Sequence, residues 1–151
     1  MEHKDLIDTL NKLVSTCKDG EYGFLSCAEH VNADDLRRTF NARAEECRQA
    51  AAELQSLIRQ NGGTPDEGGT ATGAVHRGWV AVKGTLSGYS DLAMLEECER
   101  GEDTAVARYR SALEESLPAD VRPVIERQFD GLKRNHLQVR TLRDQLRAAQ
   151  H

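Results

Sequence analysis

The chain has 151 residues, with 20 Lys and Arg against 25 Asp and Glu, a net charge of −5 and only 5% aromatic residues. That size makes one domain around one core, spanning 1–151, and the acidic balance, with no basic patch interleaved with aromatics, excludes nucleic acid and anionic membrane as expected partners. There is no apolar run of about 18 residues and no charged-then-apolar leader, which predicts a cytoplasmic protein without a membrane span.

Leu6, Leu10, Leu13, Cys17, Phe24, Ala28 and Val31 recur at helical spacing and predict a first helix over 5–31, with Glu21 on the same face. Gly20 and Gly23 weaken it by roughly 1 kcal/mol each relative to Ala, so packing must hold its middle. A small residue there also lets a neighbour approach closely. Asn32 followed by Asp35 reads as a cap for a second helix starting near Ala33. Its inward stripe is Leu36, Phe40, Cys47, Ala50, Leu54 and Leu57, with Arg43 on the same side, and Asn61-Gly62-Gly63 stops it.

Residues 64–73 are polar and Gly-rich and predict a surface linker. Val75, Trp79, Val82 and Leu86 then predict a crossover helix of about three turns, ending at Ser87-Gly88, with Trp79 as its anchor on the core and His76 on its solvated flank. The third long helix runs from about Ser90 to Glu115 on the stripe Leu92, Leu95, Val106, Tyr109 and Leu113, and Glu99 and Glu102 lie inside that stripe. Glu96 and Glu97 point away from it. After Leu117-Pro118, Asp120 is the natural cap of a fourth helix with Pro123 in its first turn, reaching about Arg147. Val121, Ile125, Leu132, Val139, Leu142 and Leu146 point inward, and Gln128, Asn135 and His136 share that face or its edge.

Residues equally far from a tight turn lie at the same height in an antiparallel pair. Counting outward from Leu117-Pro118 sets Glu99 level with His136 and Glu102 level with Lys133; counting from Asn32-Ala33 sets Glu21 within a turn of Arg43, Glu46 and Cys47. Each hairpin therefore carries one polar layer. Buried carboxylates need cations, metal ions or donors brought to them, because an unpaired buried charge is very costly.

Three readings stand side by side. In the first, Arg43 and His136 neutralise Glu21, Glu99 and Glu102 in a structural layer that includes Gln128 and Asn135. In the second, Glu21, Glu99, Glu102 and His136 form an incomplete metal site, a donor set that suits Fe, Mn or Zn. The third is acid/base or peroxide chemistry without metal, or a small-molecule pocket. Cys17, Cys27, Cys47 and Cys98 show no C-x-x-C pairing, and three of them fall on apolar stripes, as reduced core cysteines do.

The stretches LNKL, Asp19-Gly20-Glu21, AAELQ, HRGW, LEECERGED and the ERQ…H…VR…LRDQL end resemble a bacterial family of small ferritin-like four-helix-bundle proteins known as a domain of unknown function. The resemblance covers essentially the whole chain. It implies an all-α, up-down ferritin-like bundle with a long crossover between helices two and three. Di-iron members of the wider superfamily take a Glu from each of two helices and a Glu-x-x-His from each of the others. Glu21 matches the first carboxylate and Glu99 or Glu102 the third-helix one. Helix four offers Lys133-x-x-His136, helix two offers Glu45-x-x-Arg48 or Glu46-x-x-Gln49, and Arg43 would repel a dication. The implied role is a structural, interaction or stress-associated module, paired as a homodimer in the usual twofold way. The alternative is a metal-dependent oxidoreductase with a degenerate site.

Overall fold

The computed structural model describes residues 1–66 and 90–149, and within them the backbone forms four long helices and no strand. These are α1 (His3–His30), α2 (Asp34–Gln60), α3 (Asp91–Leu113) and α4 (Arg122–Ala149). The crossover helix expected around Trp79 lies outside the described residues, as does His76. α1 packs against α2 and α3, and α3 packs against α4. The fold is an all-α four-helix bundle.

The core is two apolar clusters, one at each end of the bundle. The first joins Leu6, Leu10, Leu13 and Val14 of α1 to Leu54, Leu57 and Ile58 of α2, and to Tyr109, Ala112, Val121 and Ile125 of the second hairpin. The second joins Phe24, Cys27, Ala28, Leu36, Phe40, Met94, Leu95, Cys98 and Val139. Each helix passes from one cluster to the other, and the interval between holds Glu21, Glu46, Glu102 and the 133–138 stretch of α4, with Arg43 beside Ala44 at the near edge of the second cluster. The polar residues therefore sit mid-bundle, sandwiched between apolar ends. α4 contributes least to the core: only Ile125 and Val139 are fully buried, and Leu132, Leu142 and Leu146 are half-buried. On α3 the buried face runs through Met94, Leu95, Cys98, Glu99, Glu102, Tyr109 and Ala112, so Leu92 and Val106, expected inward, sit half-exposed on its flanks.

The helix ends follow local chemistry, with two corrections. α2 stops where Gly62 takes φ 81°, a left-handed value suited to glycine, and Gly63 N–H reaches Ile58 O at 2.8 Å while Gly62 N–H reaches Arg59 O at 3.0 Å. Ser90 caps α3 by accepting from Ala93 N–H at 3.1 Å. Asn32 does not cap α2. Its N–H donates instead to Asp91 Oδ1 at 2.9 Å, and Ala33 N–H donates to Asp91 Oδ2 at 3.1 Å, so the carboxylate that begins α3 holds the α1–α2 turn. A chelating acceptor from another helix satisfies two donors at once, which one local side chain does not. Asp120 does not cap α4 either: the helix starts at Arg122, after a turn closed by Val121 N–H to Pro118 O at 3.0 Å, and the Asp120 carboxylate lies 3.5 Å from Asn61 Nδ2. Arg122 donates back to Leu113 O at 3.2 Å and Glu115 O at 2.6 Å, a cation on the open carbonyls at the end of α3.

Candidate functional site: a mid-bundle polar layer

Glu99 and Glu102 both point inward, 9% and 5% exposed. Glu99 is held by α4, its Oε2 accepting from Arg143 Nη1 and its Oε1 lying 3.7 Å from Arg140 Nε. His136 does not face Glu99. Its Nε2 lies 2.6 Å from Asp103 Oδ1, on the more exposed flank of α3. Lys133, counted level with Glu102, leans instead toward Asp130 at 3.6 Å and over the Phe129 ring at 4.5 Å.

The displacement has one geometric cause. Side chains on a helix tilt toward its N-terminus. On α3 they therefore lean away from the α3–α4 turn, and on α4 they lean toward it. Each α3 acid meets an α4 partner about one or two turns farther from the turn than equal counting gives, which brings Arg140 and Arg143 onto Glu99 and His136 onto Asp103.

Glu102 is placed differently. Its Oε1 is buried with no hydrogen-bond partner among the described residues. Burial pushes its carboxyl up to about 8; the Arg43 charge opposes this, and the Asp103 and Glu99 charges add to it. At neutral pH Glu102 therefore carries a proton for most of the time. The Arg43 side chain is 13% exposed, with Nη1 donating to Glu46 Oε1 at 2.8 Å and Nη2 donating to Gln138 Oε1. Its Nε is buried and also has no partner among the described residues.

Asn135 donates to the other Glu46 oxygen at 2.5 Å, so Glu46 joins Arg43 of its own helix to Asn135 of α4. Gln128 belongs to a neighbouring network at the edge of the first apolar cluster: it accepts from Tyr109 Oη at 2.7 Å and donates to Glu53 Oε1 at 2.8 Å. Glu21 is half-buried on α1. Burial first, then neighbouring Cys17 and the charges of Glu102, Glu46 and Glu21, push the Cys47 thiol up.

Sequence reasoning missed a second polar contact between α1 and α3. Arg108 Nη1 donates to Thr16 Oγ1 at 3.0 Å and lies 3.9 Å from Asp19 Oδ2. Burial raises the Asp19 carboxyl to about 6, against the pull of Arg108. The Asp19-Gly20-Glu21 run held the only sequence sign of it, and that run names no partner. Beside Glu99 an open cleft of about 530 Å³ is bordered by Glu96, Glu97, Arg100, Asp103, Arg143 and Arg147. Its charges are already matched, Glu96 to Arg147 at 3.1 Å and Glu97 to Arg100.

The structure thus does not gather Glu21, Glu99, Glu102 and His136 into one ligand set. Among the described residues no group of three or more His, Cys, Asp and Glu side chains is arranged to hold a metal ion. The donor chemistry points the same way: two arginines occupy Glu99, an aspartate occupies His136, and Arg43 stands by Glu102. A two-iron centre of the Glu and Glu-x-x-His kind does not fit these residues as they are placed.

Among solved structures, the chain is similar to a dodecameric thioferritin, the bacterioferritin-related protein of Bacteroides fragilis, with a TM-score of 0.79 at 18% identity over 99% of this chain and 91% of that one. It is also similar to a point mutant of Dps1 from Mycobacterium smegmatis, with a TM-score of 0.75 at 17% identity over 92% of this chain and 95% of that one. Identities this low establish the shared fold alone. No curated protein matches the chain. No described helix is long and apolar enough to cross a membrane. Residues 5–115 match the model of a domain of unknown function, DUF2383, and the chain belongs to that family.

Proposed function

We propose that the protein is a self-associating ferritin-like module of the cytoplasm, with a structural or stress-associated interaction role, whose mid-bundle layer is neutralised from within. The observation that carries this reading is the pairing of buried Glu99 with Arg140 and Arg143, and the Arg43 charge, bonded to Glu46 and Gln138, acts on Glu102 from beside them. Arginines on Glu99, with the Arg43–Glu46–Asn135 and Arg43–Gln138 bonds, make the layer a device for holding α2, α3 and α4 in register. Self-association is supported by Leu137 on α4 and Leu25 on α1, 60% and 43% exposed, and by one structural neighbour being described as dodecameric. A homodimer is the simplest closed form.

A second reading keeps one supporting observation. Glu102 Oε1 is a buried acceptor with no partner among the described residues, and a metal-binding, oxidoreductase-like protein in which Fe, Mn or Zn displaces the Glu102 proton and draws in Glu21, Glu99 and His136 is the alternative. Elemental analysis of protein purified without chelators, joined to light scattering for mass in solution, separates the two. The structural reading expects far less than one metal per chain and a mass at least twice that of the monomer. About one or two equivalents of metal, lost on Glu102→Gln, would replace it with the alternative.

A further inference from the structure

Cys27 near the end of α1 and Cys98 in the first half of α3 meet at the seam between the two hairpins, Sγ to Sγ 3.2 Å. Both are free thiols, Cys27 fully buried and Cys98 4% exposed. Phe24, Ala28, Met94, Leu95 and Val139 enclose them in one apolar cluster. The other two cysteines are engaged elsewhere: Cys17 Sγ lies 3.2 Å from Tyr109 Oη, and Cys47 Sγ packs against Gly20, where an added Cβ would meet it at 2.9 Å. A disulfide needs about 2.05 Å between sulfurs, so a shift of about 1 Å shared by two side chains closes the gap.

We propose that Cys27 and Cys98 form a peroxide-oxidisable dithiol whose disulfide locks α1 to α3. The oxidant is hydrogen peroxide, small enough to enter when the bundle opens locally. Cys98, the less enclosed of the two, attacks the peroxide oxygen as its thiolate, the O–O bond breaks, and the leaving hydroxide takes up a proton as water. Cys27 then attacks the sulfenic sulfur, the S–O bond breaks, and a second water leaves with the Cys27 proton. Two thiols lose two electrons in all, and the peroxide is reduced to two waters.

Geometry makes this pair a lock rather than a turnover catalyst. The hydrogen bond with Cys27, and then burial, hold the Cys98 thiol well above its ordinary range, so attack is slow and the pair stays reduced until oxidant persists. Once formed, the bond is shielded from thiol reductants by the same apolar wall. It joins helices 71 positions apart in the chain and so restrains the unfolded state strongly.

The test uses the full chain, fully reduced, then treated with hydrogen peroxide. Free thiols should fall from four to two, non-reducing peptide maps should join the Cys27 and Cys98 peptides, and the Tm should rise by about 5–15 °C and return once the bond is reduced with dithiothreitol in denaturant and the chain refolded. Cys27→Ser should abolish the rise, whereas Cys17→Ser combined with Cys47→Ser should keep it. A link mapped to any other pair, a link between chains, over-oxidised Cys98 without a link, or a Cys27–Cys98 link that leaves the Tm unchanged would each overturn the proposal. If Cys27→Ser does not fold, the map and Tm of the natural chain decide alone.

Discussion

His136 is bonded to Asp103, Nε2 to Oδ1 at 2.6 Å, and that pair holds the imidazole at the flank of the bundle while the buried carboxylates of α3 turn to arginines. Glu102 is the exception, since its Oε1 has no partner among the described residues and its proton does part of the neutralising. A mid-bundle layer balanced by arginines and one retained proton responds to pH in a definite direction.

Because the Glu102 carboxyl is raised from 4.5 to about 8, it binds its proton more tightly folded than unfolded. Its contribution is intact below about pH 4.5 and is lost as pH climbs toward about 8, at a rate of at most about 1.4 kcal/mol per pH unit. Glu102→Gln removes this dependence. Denaturant unfolding should find the variant within about 0.5 kcal/mol of the natural chain near pH 5 and more stable by about 1–3 kcal/mol near pH 8.5. Equal differences at both pH values would show that Glu102 is ionised throughout.

Glu99 is expected to be coupled to Arg143 more strongly than an exposed pair is coupled. A double-mutant cycle of Glu99→Gln and Arg143→Met, measured by unfolding in low and high salt, should give a favourable coupling that salt weakens little. The Glu45 and Arg48 pair on the outer face of α2, about half exposed, should give a smaller coupling that salt removes. Similar salt dependence for both cycles would place Glu99 in solvent.

The bundle was legible because its signal is periodic: stripes such as Leu6, Leu10 and Leu13 or Leu54, Leu57 and Ile58 leave few alternatives. The inward set of Glu99, Glu102 and Arg43 was legible on the same basis, as departures from an apolar stripe. Their partners were not. Partner height along a hairpin depends on side-chain tilt and reach, so counting paired Glu99 with His136 and overlooked Arg140 and Arg143. The caps failed for a related reason, since the Asp91 carboxylate that serves Asn32 and Ala33 comes from 59 and 58 positions away.

Two glycines on neighbouring helices should respond to alanine with opposite sign. At Gly101 an added Cβ meets nothing within 4 Å, so Gly101→Ala should stabilise by about 0.5–1 kcal/mol through helix propensity. At Gly20 it would meet Cys47 Sγ at 2.9 Å, so Gly20→Ala should forfeit that gain and cost about 1 kcal/mol or more. Adding Cys47→Ala to Gly20→Ala should recover part of the loss. Thermal unfolding of the four proteins checks both signs, and a stabilising Gly20→Ala would show that α1 and α2 are less closely packed than described.

The most direct measurement is the stability of Arg43→Met across pH. Methionine keeps a long apolar stem, so the change removes the charge near Glu102 and the bonds to Glu46 and Gln138. The Arg43 charge lowers the Glu102 carboxyl, so removing it raises that carboxyl further above its ordinary 4.5. Near pH 5 Glu102 is protonated with or without Arg43, and the loss should be about 1 kcal/mol from the bonds alone. As pH passes through about 8 the natural chain ionises Glu102 beside a cation and the variant does so beside none, so the loss should grow to about 2–3 kcal/mol near pH 9. A loss that stays below about 1 kcal/mol and does not change between about pH 5 and pH 9, as for an exposed ion pair, would contradict a layer held by Arg43.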